Sequence, residues 1–243
     1  MKLSVIIPMY NEEKEAARCA GALVEALDAA IPEAFDDYEI VFSDDGSTDR
    51  SAEIVGALAG DPAYRRVRLV GSDVNRGKGA AVRRGVLASD GDVVLYTDCD
   101  LAYGTDVIPE AVKKLAESGA DGVIGSRAIH PDGYAGYTAI RKAASKIYLR
   151  ILSRFAGFSL SDSQCGFKAF RGDLCRSLFR DCETDGWSFD FELLMRAEKK
   201  GARIVETPVR VIRHGASKIR LLGDSVKMLR DVRRLRRKLS RQA

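Results

Sequence analysis

Two carboxylates one residue apart follow a short apolar run, and they are the strongest chemical signal in the sequence. Asp98 and Asp100 flank Cys99 directly after Val93-Val94-Leu95-Tyr96. Carboxylates at this spacing can share a hard divalent cation, which prefers oxygen ligands and can bridge to a diphosphate. Aspartates also cap turns, so the pattern alone leaves a purely structural role open. The position after an apolar run favours the cation site.

Two further polar segments could bind a charged ligand. Asp44-Asp45-Gly46-Ser47 follows another apolar run, where helix capping explains the serine but not the two adjacent carboxylates. Asn75-Arg76-Gly77-Lys78-Gly79 precedes a predicted helix and offers backbone N–H groups and an ammonium to an anion. The second segment matches neither a Walker A motif nor a GxGxxG fingerprint. The sequence has only two histidines and no GxSxG motif. A P-loop kinase, a nicotinamide enzyme and a serine hydrolase are therefore disfavoured.

Apolar runs of strand length alternate with helical patterns through the first half of the chain. This alternation predicts βαβ crossovers and an α/β fold with a mostly parallel sheet flanked by helices. Ligands of such sheets bind beyond the carboxyl ends of the strands, so the polar segments after four strands, including Gly125-Ser126-Arg127, should meet at one edge. The predicted strands are Leu3–Met9, Glu39–Ser43, Val67–Val70, Asp92–Thr97 and Gly122–Ile124, and the predicted helices cover about 13–30, 48–60, 79–89 and 106–118.

The second half of the chain is less regular. No segment there has the composition of a linker, so we predict one domain over residues 1–220 and an appended segment over 221–243. The predicted elements are a helix near 139–155, a loop at 157–168, a helix near 188–200 and two short strands near 203–206 and 209–212.

The C-terminal segment is strongly basic. Residues 210–243 contain 12 lysines and arginines against 2 acidic residues, although the whole chain has a net charge of only +4. Apolar residues recur there at three- and four-residue spacing over about 221–240, which predicts a basic amphipathic helix. Such a helix can lie on an anionic membrane surface or pack against the domain. Nucleic acid is disfavoured as a partner because this segment has no aromatic side chain for stacking.

Three properties of the sequence indicate where in the cell the protein is found. No stretch approaches the roughly 20 apolar residues that a membrane-spanning helix needs. The apolar run at the N-terminus is too short for a secretory signal and ends in Asn11-Glu12-Glu13. The five cysteines form no CxxC pair, which argues against a disulfide framework or a zinc site. We therefore expect a cytoplasmic protein that is peripheral on the membrane.

The motifs, taken in order, resemble those of family 2 glycosyltransferases with the GT-A fold. Within that family the chain resembles the polyprenyl-phosphate glycosyltransferases, among them the dolichyl-phosphate β-glucosyltransferases. Cys99 departs from the commonest family form, in which alanine stands at this position. The segments that carry the resemblance are Ser4–Glu12, Asp44–Asp49, Asn75–Arg83, Asp98–Asp100, Gly125–Arg127, Asp162–Lys168, Trp187–Leu194 and Ser217-Lys218.

The resemblance implies an inverting, metal-dependent transfer of a hexose from UDP-glucose to a polyprenyl phosphate at the cytoplasmic face of a membrane. GDP-mannose is the alternative donor. An anionic membrane surface and a membrane-protein partner are the further partners expected. The implied nucleotide-sugar site comprises Pro8, Tyr10, Glu12, Ser43, Asp45, Lys78, Arg213 and Lys218. Asp98 and Asp100 would hold Mg²⁺ or Mn²⁺, and Arg127 and Arg141 would bind the acceptor phosphate.

The chemistry of the acceptor decides whether a general base is needed. A phosphate monoester is already anionic near neutral pH, so arginines need only align it for attack. A sugar hydroxyl would need a carboxylate base, and Asp190 is the candidate. Asp190 could equally lie on the polar face of the helix that begins after Trp187. A nucleotidyltransferase lacks support because residues 8–13 read PMYNEE, and the intact Asp98 and Arg127 argue against a non-catalytic adaptor.

Overall fold

A computed structural model describes residues 1–134, 160–213 and 221–240, and within the last segment it describes the side chains of 230–239. A short 3₁₀ helix covers Pro62–Tyr64. The strands are β1 Lys2–Met9, β2 Asp37–Asp44, β3 Val67–Gly71, β4 Val93–Tyr96, β5 Gly122–Ser126, β6 Lys168–Arg171 and β7 Ile204–Pro208. The helices, numbered in chain order, are α1 Ala16–Ala29, α2 Ser51–Ala59, α3 Lys78–Ala88, α4 Val107–Ser118, α5 Gly172–Asp181, α6 Phe189–Lys199 and α7 Leu221–Ser240.

The seven strands form one sheet in the order β3-β2-β1-β4-β6-β5-β7. β6 is antiparallel to both of its neighbours, whereas the other paired strands are parallel. Because β4 and β5 both run opposite to β6, the strands β1, β2, β4 and β5 all point the same way. The predicted mostly parallel sheet is therefore confirmed, and the carboxyl ends of these four strands share one edge.

Helices cover the sheet on both faces. Alternate side chains of β1 lie in different parts of the core: Val5 and Ile7 pack with α1 and α4, and Ile6 packs with α3. This division follows from the pleat of a strand, which sends successive side chains to opposite faces. A strand that is buried on both faces must be apolar throughout, which explains the uninterrupted apolar run Val5-Ile6-Ile7. The two-sided burial fixes the strand ends that carry the polar loops.

The structure corrects the sequence prediction in the second half. β6 and α5 were not predicted, because the run from Lys168 to Arg171 is short and has a charged residue at each end. The prediction of two strands near 203–206 and 209–212 was wrong: one strand, β7, continues through Pro208. Proline is tolerated in β7 because β7 is an edge strand. The helix predicted near 139–155 lies outside the described residues.

The apolar side chains in the second half of α7 pack against α6. Val232, Leu235 and Leu239 are buried with Phe191 and Met195 in a small cluster of their own. The arginines between them stay exposed. Among the described residues, none of the helices combines the length and the apolar character needed to cross a bilayer.

Candidate active site

The loops after β1, β2, β4 and β5 lie at one edge of the sheet, as the sequence predicts. Hydrogen bonds join the first two loops: the Asn11 N–H donates to Ser47 Oγ at 2.9 Å, and the Thr48 N–H donates to Asn11 Oδ1 at 2.8 Å. Asn11 adopts a positive φ of 54°, a conformation that asparagine tolerates better than most residues. Hydrogen bonds therefore link the loops after β1 and β2 at this edge of the sheet.

Asp45 is the most distinctive polar residue of this surface. Its carboxylate is buried, and Oδ2 accepts backbone N–H bonds from Arg76 at 3.1 Å and Gly77 at 2.6 Å. Oδ1 has no hydrogen-bond partner, and the nearest cation is Arg84, with Nη2 at 3.7 Å. A buried carboxylate oxygen without a hydrogen bond is costly, so this oxygen is suited to accept an N–H or O–H from a ligand.

The other residues expected around a nucleotide lie near Asp45. Pro8 and Ser43 are register partners on β1 and β2, and Ser43 is buried. Tyr10 is exposed just beyond β1, and the backbone N–H of Glu12 donates to Ser51 Oγ at 2.7 Å. These five positions therefore lie at or just beyond the ends of two adjacent strands, and they range from buried (Ser43, Asp45) to exposed (Tyr10).

Asp98 and Asp100 follow β4 directly, and Lys78 at the start of α3 reaches them. The distance between Lys78 Nζ and Asp98 Oδ1 is 2.5 Å, and the Lys78 side chain is only 15% exposed. Burial alone would lower the pKa of the Lys78 ammonium, but the charges of Asp98 and Asp190 outweigh burial and raise it. The ammonium is therefore a fixed positive charge between acidic groups.

The carboxylate pair suits a hard divalent cation. The pKa of Asp100 is raised, first by burial and then by the negative charge of Asp98. A cation held by both groups would relieve that repulsion, and their oxygens are the ligands that Mg²⁺ and Mn²⁺ prefer. Among the described residues no group of three or more histidine, cysteine or acidic side chains is placed to hold a metal ion. Two carboxylates suit Mg²⁺, which commonly completes its shell with waters and substrate phosphates.

The segment before β6 packs closely against the carboxylate pair, at Asp98. A Cβ added at Gly166 would lie 2.5 Å from Asp98 Oδ2 and 3.5 Å from Lys78 Nζ. Any side chain at Gly166 would therefore displace the carboxylate or the ammonium. The sequence motif contains Gly166, but no spacing rule indicates that it contacts a residue 68 positions earlier. The contact between Gly166 and Asp98 can be recognised only in the folded structure, in which β6 pairs with β4.

Arg127 is engaged by a carboxylate that sequence analysis did not identify. Its Nε donates to Asp162 Oδ2 at 2.6 Å, its Nη2 donates to Asp162 Oδ1 at 2.8 Å, and its backbone N–H also donates to Oδ2. Asp162 is fully buried, and the guanidinium lies 5.8 Å from the ring centroid of Tyr134. This bidentate pair fixes the plane of the guanidinium. Two N–H donors on one edge of the Arg127 guanidinium are thus committed to Asp162.

Asp190 does not stand open to a substrate. Its Oδ1 accepts from the Tyr96 hydroxyl at 2.7 Å and from the Lys168 ammonium at 2.5 Å, and both partners are fully buried. Lys168 also donates to the Cys165 carbonyl at 2.6 Å. Burial, and then the charge of Asp190, raises the pKa of Tyr96 well above its ordinary value, so the phenol remains a neutral donor. Lys168 and Tyr96 were not identified from the sequence.

The remaining predicted site residues are only partly described. Arg213 is exposed next to Ile212, whose N–H donates to the Ala102 carbonyl at 2.8 Å, so the Arg213 backbone lies close to the loop after Asp100. Arg141 and Lys218 lie outside the described residues. The five cysteines are free and buried, in agreement with the sequence analysis.

Comparison with known proteins relates this chain to a protein family. The model of glycosyl transferase family 2 matches residues 4–179. The chain is 33% identical to glycosyltransferase AglD of Haloferax volcanii over 94% of its length, but it spans only 36% of AglD. It is 32% identical to the dolichyl-phosphate beta-glucosyltransferase of Saccharomyces cerevisiae over 95% of its length, and it spans 72% of that protein.

A solved structure has the same architecture. It is the Mycobacterium tuberculosis glucosyl-3-phosphoglycerate synthase in complex with Mn²⁺, uridine diphosphate and glucosyl-3-phosphoglycerate, with a TM-score of 0.67, 21% identity, and coverage of 95% of this chain and 78% of that one. The architecture of this chain is thus the GT-A fold. The chain belongs to glycosyl transferase family 2 and is a glycosyltransferase.

Removing one member of the buried Lys168–Asp190 pair should destabilise the protein more than removing both. Asp190→Asn leaves the Lys168 ammonium buried without its counter-charge, so we expect the free energy of unfolding to fall by about 3–5 kcal/mol. The double variant Lys168→Met, Asp190→Asn removes both charges and should recover about half of that loss. Urea unfolding measures both values. Equal losses in the single and double variants would show that the two charges do not compensate each other.

Proposed function

We propose that the protein transfers a hexose from a nucleotide sugar, with UDP-glucose preferred, to the phosphate of a polyprenyl lipid with inversion at the anomeric carbon. The observation that carries the proposal is the pair Asp98 and Asp100 at the carboxyl end of β4, with Lys78 as its counter-charge. The similarity to a dolichyl-phosphate beta-glucosyltransferase over almost the whole chain supports the choice of acceptor and sugar.

The donor would lie across the ends of β1, β2 and β4. Pro8, Tyr10 and Glu12 line one side, Ser43 lies behind them, and the unpartnered Oδ1 of Asp45 accepts a hydrogen bond from the base or the ribose. Asp98 and Asp100 would hold Mg²⁺ or Mn²⁺, which would supply neutralising charge to the departing diphosphate. Lys78 adds a positive charge at the same place, and Arg213 and Lys218 would contribute further positive charge to the binding of the phosphates.

The geometry around Asp190 favours a phosphate acceptor over a sugar hydroxyl. A hydroxyl acceptor needs a carboxylate that can reach its proton, but Asp190 is buried and is bonded to Lys168 and Tyr96. A phosphate acceptor is already nucleophilic and needs only to be aligned. Arg127, with its plane fixed by Asp162, presents its remaining N–H groups for that purpose, and Arg141 would complete the clamp.

A lipid acceptor requires the enzyme to reach a membrane, for which we propose the cytoplasmic face, and α7 offers a surface for the approach. Its arginines are exposed, whereas Val232, Leu235 and Leu239 are already buried against α6. These three side chains are therefore not available to enter a bilayer, so the attraction would be electrostatic, with each basic group adding about 1 kcal/mol near an anionic surface. Binding to a membrane protein would also bring the enzyme to the membrane.

Transfer of labelled glucose from UDP-glucose to a short polyprenyl phosphate in the presence of Mn²⁺ tests the proposal directly. Asp98→Asn should lower the rate of lipid labelling by at least about a hundredfold, because the leaving diphosphate loses its charge stabilisation. Solvent extraction of the labelled lipid provides the measurement.

Glu117→Gln is the matched control, since Glu117 is exposed near the C-terminal end of α4, which leads to the opposite edge of the sheet. Its rate should equal that of the wild type. Equal turnover in Asp98→Asn and the wild type would remove the metal role of Asp98. Label arriving only from GDP-mannose would identify the alternative donor, and label on a sugar instead of the lipid would identify a hydroxyl acceptor.

Neutralising exposed arginines of α7 should weaken membrane binding without affecting the fold. We expect the triple variant Arg233→Gln, Arg234→Gln, Arg237→Gln to lose at least about tenfold in affinity for vesicles that contain phosphatidylserine, because three attractive charges are removed. Vesicle sedimentation, with phosphatidylcholine vesicles as the uncharged reference, measures the change.

A second triple variant controls for net charge alone. Arg50→Gln, Arg65→Gln and Lys113→Gln remove the same charge from exposed sites outside α7. This variant should bind vesicles almost as well as the wild type. If both triple variants lose affinity equally, or if neither does, α7 is not the membrane-binding surface.

A further inference from the structure

The ammonium of Lys78 is paired with one of the carboxylate oxygens that a bound metal ion would use. Lys78 Nζ lies 2.5 Å from Asp98 Oδ1 and forms an ion pair with it. The Lys78 side chain is 15% exposed and that of Asp98 is 36% exposed, so the pair is shielded more than a surface ion pair. Part of the carboxylate pair is thus already neutralised by the chain itself.

The fold holds this ammonium in place from several sides. Lys78 is the first residue of α3, and the preceding Gly77 has a φ of +115° with its N–H bonded to Asp45. The Ala80 N–H donates to the Asp185 carbonyl at 3.2 Å, which ties the first turn of α3 to the segment before α6. From that segment the ring of Trp187 lies 5.3 Å from Nζ, in cation–π range. The backbone from which the Lys78 side chain extends is therefore fixed, and the ammonium lies between Asp98 and the Trp187 ring.

A balance of charge then links the lysine, the metal and the nucleotide. Asp98 and Asp100 bring two negative charges, and Lys78 compensates one of them. A divalent cation added to this site alone would leave an excess of positive charge in a partly buried place, with two cations next to the same carboxylate. A nucleoside diphosphate brings the negative charge that both cations need, and it offers the ammonium a new set of oxygen acceptors.

We propose that Lys78 is a built-in counter-ion that keeps Asp98 from binding a divalent cation until a nucleoside diphosphate arrives and accepts the ammonium. Metal binding is then coupled to nucleotide binding, and the empty enzyme holds the metal only weakly. This inference rests on the proposed function, because it assumes that Asp98 and Asp100 are metal ligands. It adds an order to the assembly of the site, in which the nucleotide binds before the metal or together with it.

Mn²⁺ titration followed by electron paramagnetic resonance tests the inference, since free and bound Mn²⁺ give different signals. At one fixed pH and without nucleotide, Lys78→Met should bind Mn²⁺ at least about tenfold more tightly than the wild type, because one competing charge is gone. With UDP present the order should reverse, because the variant lacks the ammonium that helps to hold the diphosphate. Lys78→Arg keeps a positive charge and should bind Mn²⁺ as weakly as the wild type when no nucleotide is present.

Controls separate the possible failures. Lys113→Met removes an exposed lysine from α4 and should leave both affinities unchanged. Lys78→Gln is titrated alongside Lys78→Met, with thermal melting to verify the fold, so that the conclusion does not depend on one side chain. The inference is overturned if the wild type binds Mn²⁺ equally well with and without UDP, or if neither neutral variant binds it more tightly. If no variant retains Mn²⁺ even with UDP, the metal role in the proposed function fails as well.

Discussion

Two carboxylates that share the end of a buried strand repel each other unless a cation lies close to both. This constraint governs the carboxyl edge of the sheet in the present protein. Asp98 and Asp100 are held together by the backbone of the loop after β4, and the pKa of Asp100 is raised first by burial and then by the negative charge of Asp98. Lys78 offsets part of that cost. The negative charge that remains suits a divalent cation that arrives together with a nucleoside diphosphate.

The surrounding fold can be understood as the means of keeping these charges in place. β4 lies inside the sheet between β1 and β6, so the loop that carries Asp98 and Asp100 begins from a fixed point. The antiparallel strand β6 follows Gly166, whose missing side chain leaves room for the Asp98 carboxylate. β6 also begins with Lys168, which neutralises Asp190. One strand thus supports two of the charged groups near the site.

The sequence was sufficient for the parallel part of the sheet and for the meeting of its loops. Alternating apolar runs and helical patterns are local signals, and the rules for parallel strands fix the edge at which their polar ends meet. The pairs Arg127–Asp162 and Lys168–Asp190 could not be found in this way, because each joins residues from separate elements with no periodic relation. β6 was missed because its short apolar run has a charged residue at each end, and Lys168 can be buried only with a partner that sequence position does not reveal.

Crystals grown with UDP and Mn²⁺ provide the most direct test of the central claim, because Mn²⁺ can be located by its anomalous scattering. The account predicts a single strong peak within coordination distance of Asp98 and Asp100 and of the diphosphate oxygens, with Lys78 moved from Asp98 to the diphosphate. A peak remote from these carboxylates, or bound UDP with no peak beside them, would contradict the account.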